Sequence, residues 1–186
     1  MNSILKKIIR DYIYHLETLD DVKEISSAAE SEFRNAMNNA DSVALSALAE
    51  PQVKPEIKEE IKVTHEDSKF KKIFRKAVVK CHPDKLNDLS EKEAASMKAS
   101  YESLIVSNET YDWGLLLKVC LDLNIEVEEL GDIEKNNIIE NTEILKNLIV
   151  TYERSMAYSW YNINDETQKN EYLAECAVIF KKSLKI

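Results

Sequence analysis

Glycine and proline are scarce in this chain. Only two of its 186 residues are glycine and three are proline, whereas soluble proteins average about 7% glycine and about 5% proline. A glycine-rich phosphate loop is therefore excluded, and with it a Walker-type nucleotide site and a dinucleotide fingerprint. A β-rich chain is disfavoured as well, because its tight turns depend on both residues. The shortage predicts a mostly helical protein, long enough for one domain or two small ones.

Cysteine is sparse, and its spacing argues against a metal site. The chain has three cysteines and three histidines, and no histidine flanks a cysteine at the spacing of a zinc site. An odd, widely spaced set fits a reducing compartment better than a disulfide scaffold. We expect no metal and no cofactor, and we expect Cys120 and Cys176 to behave as small buried hydrophobes.

Long apolar runs are also missing. Lys6, Lys7, Arg10 and Asp11 interrupt the apolar residues of the N-terminus, which excludes the unbroken core of a signal peptide. No run approaches the roughly 20 residues that a bilayer-spanning helix needs. The net charge of −9 disfavours indiscriminate binding to nucleic acid or to an anionic membrane. The sequence predicts a soluble, cytoplasmic protein with no membrane partner.

Hydrophobic periodicity predicts an all-α fold with four segments. Residues 1–48 form an N-terminal helical segment, and 49–63, which holds two of the three prolines, form a linker. Residues 64–130 form a central region, and 131–186 form a C-terminal helical hairpin. Each helical segment carries apolar residues three and four positions apart, as an amphipathic helix requires.

The flanking segments allow more detailed predictions. The N-terminal segment has one helix over 3–17, and Asp20 and Asp21 are predicted to cap a second. The C-terminal hairpin has one long helix that reaches Trp160, then a turn at Asn164–Asp165. The apolar face of its last helix is Tyr172, Leu173, Cys176, Ile179 and Phe180.

The central region contains two helices around a short polar loop. The first, capped by Asp67 or Ser68, ends before Pro83, because a residue that precedes proline is pushed out of the α conformation. Ser90 and Glu93 form a capping box for the second. Such a pair forms an antiparallel hairpin, and a further helix is predicted over 110–124. The apolar face of the first helix is Phe70, Ile73, Phe74, Ala77, Val78 and Cys81, and that of the second is Ala94, Met97, Tyr101, Leu104 and Ile105.

The first helix of the hairpin is strongly basic. Residues 69–85 hold seven basic side chains and one acidic one, a net of +6, which leaves 18 basic and 33 acidic residues, a net of −15, elsewhere. Such polarity steers association with an acidic partner, whereas the simpler interpretation is a solvated helix face. The basic residues are Lys69, Lys71, Lys72, Arg75, Lys76, Lys80 and Lys85.

The basic helix ends in a loop that presents an imidazole and a carboxylate. His82 and Asp84 flank the rigid Pro83. No nucleophile with an orienting partner accompanies them, and Cys81 belongs to the apolar face. An exposed loop also offers no burial that would tune their acidity. The sequence therefore does not predict an enzyme.

Residues 66–107 resemble the J domain of the DnaJ family, whose members bind DnaK-type heat-shock ATPases. The family pattern is aromatic-Arg-Lys, several apolar positions, then Lys-aromatic-His-Pro-Asp-Lys. Met97, Tyr101 and Leu104 also stand where the family has Ile, Tyr and Leu. The corresponding stretch of this chain is Phe74-Arg75-Lys76-Ala77-Val78-Val79-Lys80-Cys81-His82-Pro83-Asp84-Lys85.

The chain departs from the family pattern in three ways. Cys81 replaces the usual aromatic residue, and Ala94 stands where Phe is common. The family's first helix is not visible, with 55–63 as its candidate degenerate substitute. No Gly/Phe-rich region or cysteine-rich zinc module follows, as in the minimal class of J proteins. The composition and the helix Trp113–Ile125 are similar to short J-like proteins of large phages, which would place the chain in a host cytoplasm.

The resemblance implies a co-chaperone that is not itself an enzyme. The basic face, with Lys85, would dock on an acidic surface of the ATPase. His82, Pro83 and Asp84 would then trigger ATP hydrolysis in that partner, while the flanking helices hold a protein client. The basic face implied by the resemblance is Lys71, Lys72, Arg75, Lys76 and Lys80.

Two other functions stay open at the level of sequence. A structural or assembly protein could keep the J-like hairpin as a scaffold and pair with a second copy through the apolar stripe of residues 3–45. Nucleic-acid binding by the basic helix is opposed by the acidic remainder of the chain and by the predicted core positions of Phe70 and Phe74. We interpret Trp113 and Trp160 as packing anchors, and His15 and His65 as surface or capping residues.

Overall fold

The computed structural model describes residues 3–40, 68–85, 89–127 and 129–183, and all regular structure in these ranges is helical. The predicted all-α fold is confirmed. None of the described helices combines the length and the apolar character needed to cross a membrane. The helices are α1 (Ser3–Ala40), α2 (Ser68–Cys81), α3 (Glu91–Thr110), α4 (Trp113–Asp122), α5 (Asp132–Glu153), α6 (Met156–Tyr161) and α7 (Glu166–Ser183).

The chain divides into two compact units. The first comprises 1–17 and 64–146, and the second comprises 18–63 and 147–186. Helices α1 and α5 therefore each contribute residues to both units. The predicted linker over 49–63 lies outside the described residues, and the four predicted segment boundaries stay predictions.

Helix α1 is a single helix of 38 residues, so the predicted break at Asp20 and Asp21 is wrong. Both aspartates are exposed, while Leu19 and Val22 beside them are buried. The apolar residues before and after the two aspartates thus belong to one continuous helix, and no glycine or proline interrupts it. An aspartate in a helix interior costs only about 0.7 kcal/mol relative to alanine, which the burial of the neighbouring apolar residues offsets.

The core of the first unit collects side chains from five helices. The predicted anchor Trp113 is fully buried there, and Cys81 and Cys120 are free, buried thiols. The first residues of the N-terminal apolar stripe, which suggested pairing with a second copy, pack into this core of their own chain. The core includes Leu5, Ile9 and Tyr12 of α1, Phe70, Ile73, Ala77 and Cys81 of α2, Leu104 of α3, Trp113, Leu116, Leu117, Val119 and Cys120 of α4, and Ile138 of α5.

Asp112 joins α4 to α1 within this unit. Tyr111 ends α3 in the left-handed conformation, with φ of 53°, and Asp112 then caps α4 by accepting the Leu115 N–H on Oδ1 at 3.1 Å. Its Oδ2 accepts the Tyr12 hydroxyl at 2.8 Å. Helix α4 consequently begins later than the predicted range 110–124, because this cap separates it from α3.

Gly114 allows α1 and α4 to approach closely. A Cβ atom at this position would lie 2.5 Å from Cε2 and 2.8 Å from Cγ of Tyr12. The Tyr12 ring is only 1% exposed, and its hydroxyl is held by Asp112. The backbone of α4 therefore lies directly against this ring.

The buried Tyr12 phenol predicts a loss of stability at alkaline pH. Burial, and then the Asp112 carboxylate, raise the pKa of Tyr12 well above its usual value of 10.0. In the unfolded chain the phenol releases its proton above about pH 10, while the folded chain retains it. The free energy of unfolding is therefore expected to be unaffected below about pH 10 and to fall by up to about 1.4 kcal/mol per pH unit above it.

Urea unfolding on either side of that pH measures this effect. Tyr12→Phe should remove this part of the alkaline decline, whereas Tyr14→Phe, at a 63% exposed tyrosine of the same helix, should keep it. An identical alkaline decline in wild type and Tyr12→Phe would contradict the assignment.

The second unit has a smaller core around Trp160. The Trp160 ring packs edge-on against Phe33 with centroids 5.6 Å apart, and the ammonium of Lys169 lies 4.3 Å from its centroid. The predicted role of Trp160 as a packing anchor is confirmed. In α7, Leu173 is buried as predicted, but Ile179 is 50% exposed, so its assignment to the apolar face is wrong. The core residues are Ala29, Phe33 and Met37 of α1, Ala157 and Trp160 of α6, and Leu173 and Cys176 of α7.

Helices α5 and α6 are separate, so the prediction of one long helix reaching Trp160 is wrong. Ser155 lies between them with extended backbone angles, and its Oγ accepts the Tyr158 N–H at 3.2 Å. A serine that hydrogen-bonds ahead of itself in this way starts a new helix rather than continuing the old one. The predicted turn at Asn164–Asp165 is confirmed, and Asp165 caps α7 by accepting the Gln168 N–H at 2.9 Å.

Candidate docking surface

Helix α2 buries one face and exposes a basic one. The helix ends at Cys81, as predicted from Pro83, and Ser68 is its first residue. The alternative cap Asp67 lies outside the described residues, as does His65. The buried face is Phe70, Ile73, Ala77 and Cys81, with Phe74 and Val78 partly buried beside it.

Ring contacts show that α2 and α3 form the predicted antiparallel hairpin. Phe70, near the start of α2, packs against Tyr111 at the end of α3, with centroids 5.0 Å apart. His82, just beyond the end of α2, packs edge-on against Tyr101 in the middle of α3, with centroids 5.9 Å apart. The chain direction therefore reverses between the two helices, and Tyr101 supports the histidine of the loop.

The predicted capping box at the start of α3 is confirmed. The Ser90 N–H donates to Glu93 Oε2 at 3.1 Å, and Ser90 Oγ accepts the Glu93 N–H at 3.4 Å. The Ser90 hydroxyl and N–H groups stabilise the charged form of Glu93 and lower its pKa. This cap fixes where the chain leaves the loop and enters α3.

The loop between the two helices is a short 3₁₀ turn, Pro83–Lys85. The Lys85 N–H donates to the His82 carbonyl at 2.9 Å, and the Asp84 N–H donates to His82 Nδ1 at 3.3 Å. The His82 side chain is 42% exposed and that of Asp84 is 87% exposed. The turn is thus organised by its own hydrogen bonds and directs a carboxylate into solvent.

Whether His82 Nδ1 carries a proton decides if it bonds the Asp84 amide or the Asp84 carboxylate. His82 Nδ1 lies 3.3 Å from Asp84 Oδ2 as well as from the Asp84 N–H. An unprotonated Nδ1 accepts the amide proton, whereas a protonated Nδ1 donates to the carboxylate, and it cannot do both. A ring whose Nδ1 carries no proton therefore leaves the Asp84 carboxylate available to another molecule.

The predicted basic residues lie on the solvent side of this hairpin. An exposed valine, Val79, stands among them, with 60% of its surface accessible. Phe70 and Phe74 lie on the opposite, core-facing side, so neither ring is placed to stack on a base. The exposed basic residues are Lys71, Lys72, Arg75, Lys76, Lys80 and Lys85.

Two lysines of α2 contact the segment that connects α4 to α5. The Lys80 ammonium donates to the carbonyls of Leu123 at 2.9 Å and Asn124 at 3.3 Å, where α4 ends. The Lys69 ammonium donates to the Glu129 carbonyl at 2.5 Å and to Glu134 Oε1 at 3.3 Å. Both lysines therefore tie their own chain together.

Sequence reasoning assigned Lys80 to partner docking and gave Lys69 no separate role. The one local signal for the Lys80 contact is that exposed carbonyls at a helix C-terminus attract cations. That signal does not identify which lysine makes the contact, because Lys80 lies 43 and 44 residues before the carbonyls that it binds.

The buried thiols near this surface are held in the protonated form. Burial raises the pKa of Cys120 to about 12, although Lys76 and Lys80 act to lower it, and burial also raises the pKa of Cys81. A thiol of this kind is a poor nucleophile at neutral pH. Within the described part of the chain, no group of three His, Cys, Asp or Glu residues is placed to hold a metal ion.

Comparison of the chain with protein-family models, with curated proteins and with solved structures gave no match. The resemblance of residues 66–107 to a J domain therefore depends on its motif and spacing. The chemistry of the surface consists of an exposed carboxylate, a half-exposed imidazole and a row of cations on one hairpin.

Proposed function

We propose that this chain is a co-chaperone of the J-domain type, which binds a DnaK-type ATPase chaperone in the cytoplasm and stimulates its ATP hydrolysis. The observation that carries this proposal is the exposed turn of His82, Pro83 and Asp84 at the end of a basic helix that is packed against α3. The motif and its neighbours in sequence resemble the J domain, and their geometry leaves the motif accessible.

The basic face supports docking on an acidic surface. Lys71, Arg75 and Lys76 are exposed on consecutive turns of α2, within a chain whose net charge is −9. A local positive field on a negative molecule orients the encounter with an acidic partner, because other approaches are repelled. An acidic protein surface fits this polarity better than a nucleic acid, which the rest of the chain would repel.

The loop supports a triggering role after docking. Its hydrogen bonds already hold the turn, so little conformational freedom is lost when the Asp84 carboxylate contacts the partner. A contact made in only one conformation of the partner shifts the partner's equilibrium toward that conformation. On this proposal ATP and the hydrolytic groups belong to the chaperone, and this chain is not an enzyme.

The experiment that tests the function is ATP turnover by a DnaK-type chaperone titrated with the full chain. We expect saturable stimulation, which weakens as salt screens the basic face. The double variant Lys71→Gln/Arg75→Gln should raise the half-maximal concentration by about fivefold, since each exposed pair is worth up to about 1 kcal/mol. The maximal stimulation should stay unchanged, because the loop is intact.

The matched control removes two exposed lysines from α3. Lys92→Gln/Lys98→Gln changes the net charge by the same amount and leaves α2 intact, so its titration should coincide with that of wild type. Absence of stimulation by wild type rejects the co-chaperone function. Equal effects of the two double variants would show that net charge, and not the α2 face, governs docking.

A further inference from the structure

A shallow groove runs beside the exposed side of α2. Its volume is about 620 Å³, and its far side is formed by the segment that follows α4. Val79, 60% exposed, and Ile125, half-buried, provide apolar surface within it. The side chains that line it include Arg75, Lys76, Val79, Lys80, Ile125 and Glu126.

The far side of the groove is fixed to α2 by hydrogen bonds. Lys80 holds the carbonyls of Leu123 and Asn124 at one end of the segment, and Lys69 holds the Glu129 carbonyl at the other. Ile125 itself packs against the core of the first unit. The groove is therefore formed before a partner arrives, so little ordering is required on binding.

The charge of the groove favours an acidic occupant. Arg75, Lys76 and Lys80 line it together with one carboxylate, Glu126. The Lys80 ammonium is engaged by backbone carbonyls, which leaves Arg75 and Lys76 as the cations directed toward an occupant. A peptide carboxylate placed there would gain a charge-assisted hydrogen bond.

The spacing of the groove residues matches an extended peptide. Arg75 and Val79 are four residues apart on α2, which separates them by about 6 Å along the helix axis. Alternate residues of an extended chain are about 6.6 Å apart and point to the same side. A carboxylate on Arg75 therefore places a side chain two positions away in the peptide against Val79.

We propose that this groove binds an extended acidic peptide segment that carries an aliphatic side chain two residues away from a carboxylate. The proposal depends on the proposed function only for the source of the segment, which is then the ATPase chaperone. The groove adds an apolar component to the charged docking face, and it uses Ile125 and Glu126, which lie outside the J-like residues 66–107.

The test is a methyl NMR titration of the full chain, labelled at valine and isoleucine. The probe is a serine peptide that carries glutamate, valine and glutamate at alternate positions. We expect the methyl signals of Val79 and Ile125 to shift and saturate, while those of Val106, a 48% exposed valine of α3, stay in place. Peptides with serine for the valine, or glutamine for the glutamates, should bind at least about fivefold more weakly.

Substitutions in the groove are expected to weaken or to tighten peptide binding. Val79→Ser should weaken peptide binding about fivefold, while Val106→Ser should leave it unchanged. Glu126→Gln removes the groove's own carboxylate and should tighten binding about twofold, while Glu140→Gln, at an exposed position on α5, should not.

Absence of methyl shifts at millimolar peptide, or equal binding of the serine-substituted peptide, overturns the proposal. Stronger shifts of the same methyl signals with a single-stranded DNA oligonucleotide overturn it too.

Failure of the groove and failure of the co-chaperone function give different results. If the peptide binds and Val79→Ser weakens it, but no ATP turnover is stimulated, the groove is retained and the co-chaperone function is rejected. If wild type stimulates ATP turnover, but the peptide causes no shifts and Val79→Ser stimulates normally, the function is retained and the groove is rejected.

Discussion

Asp84→Asn is expected to abolish stimulation of the chaperone's ATPase without unfolding the chain. The Asp84 side chain is 87% exposed, so the substitution buries no new group and opens no cavity. The backbone hydrogen bonds of the turn do not require the carboxylate, because they join the Lys85 N–H to the His82 carbonyl and the Asp84 N–H to His82 Nδ1. What is lost is the negative charge that would contact the partner.

His82→Gln is expected to remove the same activity by another route. It deletes the ring that packs against Tyr101 and the nitrogen that accepts the Asp84 N–H, so the carboxylate stays but its position is no longer fixed. Binding of either variant to the chaperone should change little, because the α2 face is intact, while the maximal stimulation of ATP hydrolysis should fall to the basal rate.

The measurement is single-turnover ATP hydrolysis by the chaperone, paired with a thermal melt of each variant. Asp21→Asn, which removes an exposed carboxylate from α1, is the matched control and should stimulate like wild type. Full stimulation by both loop variants would disprove the assignment of the trigger to this turn. A lowered melting temperature in either one would show that the turn also stabilises the fold.

Gly114→Ala is expected to cause the largest loss of stability among these substitutions. The new methyl group would lie within 2.8 Å of three atoms of the Tyr12 ring, and that ring is buried and tied to Asp112. Overpacking of this kind lowers the free energy of unfolding by about 3 kcal/mol, whereas replacing glycine by alanine within a helix raises it by only about 1 kcal/mol. The net loss of about 2 kcal/mol should lower the melting temperature by about 4–8 °C.

Gly131→Ala is the matched control. A Cβ there would meet Glu134 Oε2 at 2.7 Å, but that atom is the end of a flexible side chain, and a small rotation about its contact with Lys69 relieves the clash. Its effect on the free energy of unfolding should stay within about 0.5 kcal/mol. In a Tyr12→Leu background the cost of Gly114→Ala should shrink, because the clash is with the ring. An unchanged cost in that background would contradict the close approach.

Local signals in the sequence predicted the ends of the central helices well. Pro83 and the Ser90–Glu93 pair act through neighbours in the chain, so their effects follow from a few residues of sequence. The apolar faces of α2 and α3 were predicted for the same reason, although Ile105 is 36% exposed. The main features of the candidate site, the basic face and the exposed turn, could thus be predicted.

The errors arose where a local signal competed with packing. Asp20 and Asp21 are capping residues by type, but the buried neighbours Leu19 and Val22 continue the helix through them. Ser155 is the opposite case, since its cap does interrupt a helix that periodicity alone would extend.

Contacts between distant residues could not be predicted from one sequence. Gly114 is explained by Tyr12, and the two residues are brought together only by the packing of α4 on α1. The roles of Lys69 and Lys80 depend on the carbonyls of Glu129, Leu123 and Asn124, which lie between α4 and α5 and whose positions no periodicity specifies.

The lysine contacts between α2 and the segment after α4 have a consequence for protein engineering. Helix α2 cannot be transferred alone, because a fragment cut at residues 66 and 107 would lose the carbonyls that Lys69 and Lys80 bind. It would also lose Trp113, whose ring packs against Phe70 with centroids 5.1 Å apart, and would leave the apolar face of α2 uncovered. A graft that tests the proposed docking surface in another protein must therefore include 1–17 and 64–146 together, for example as a circular permutant.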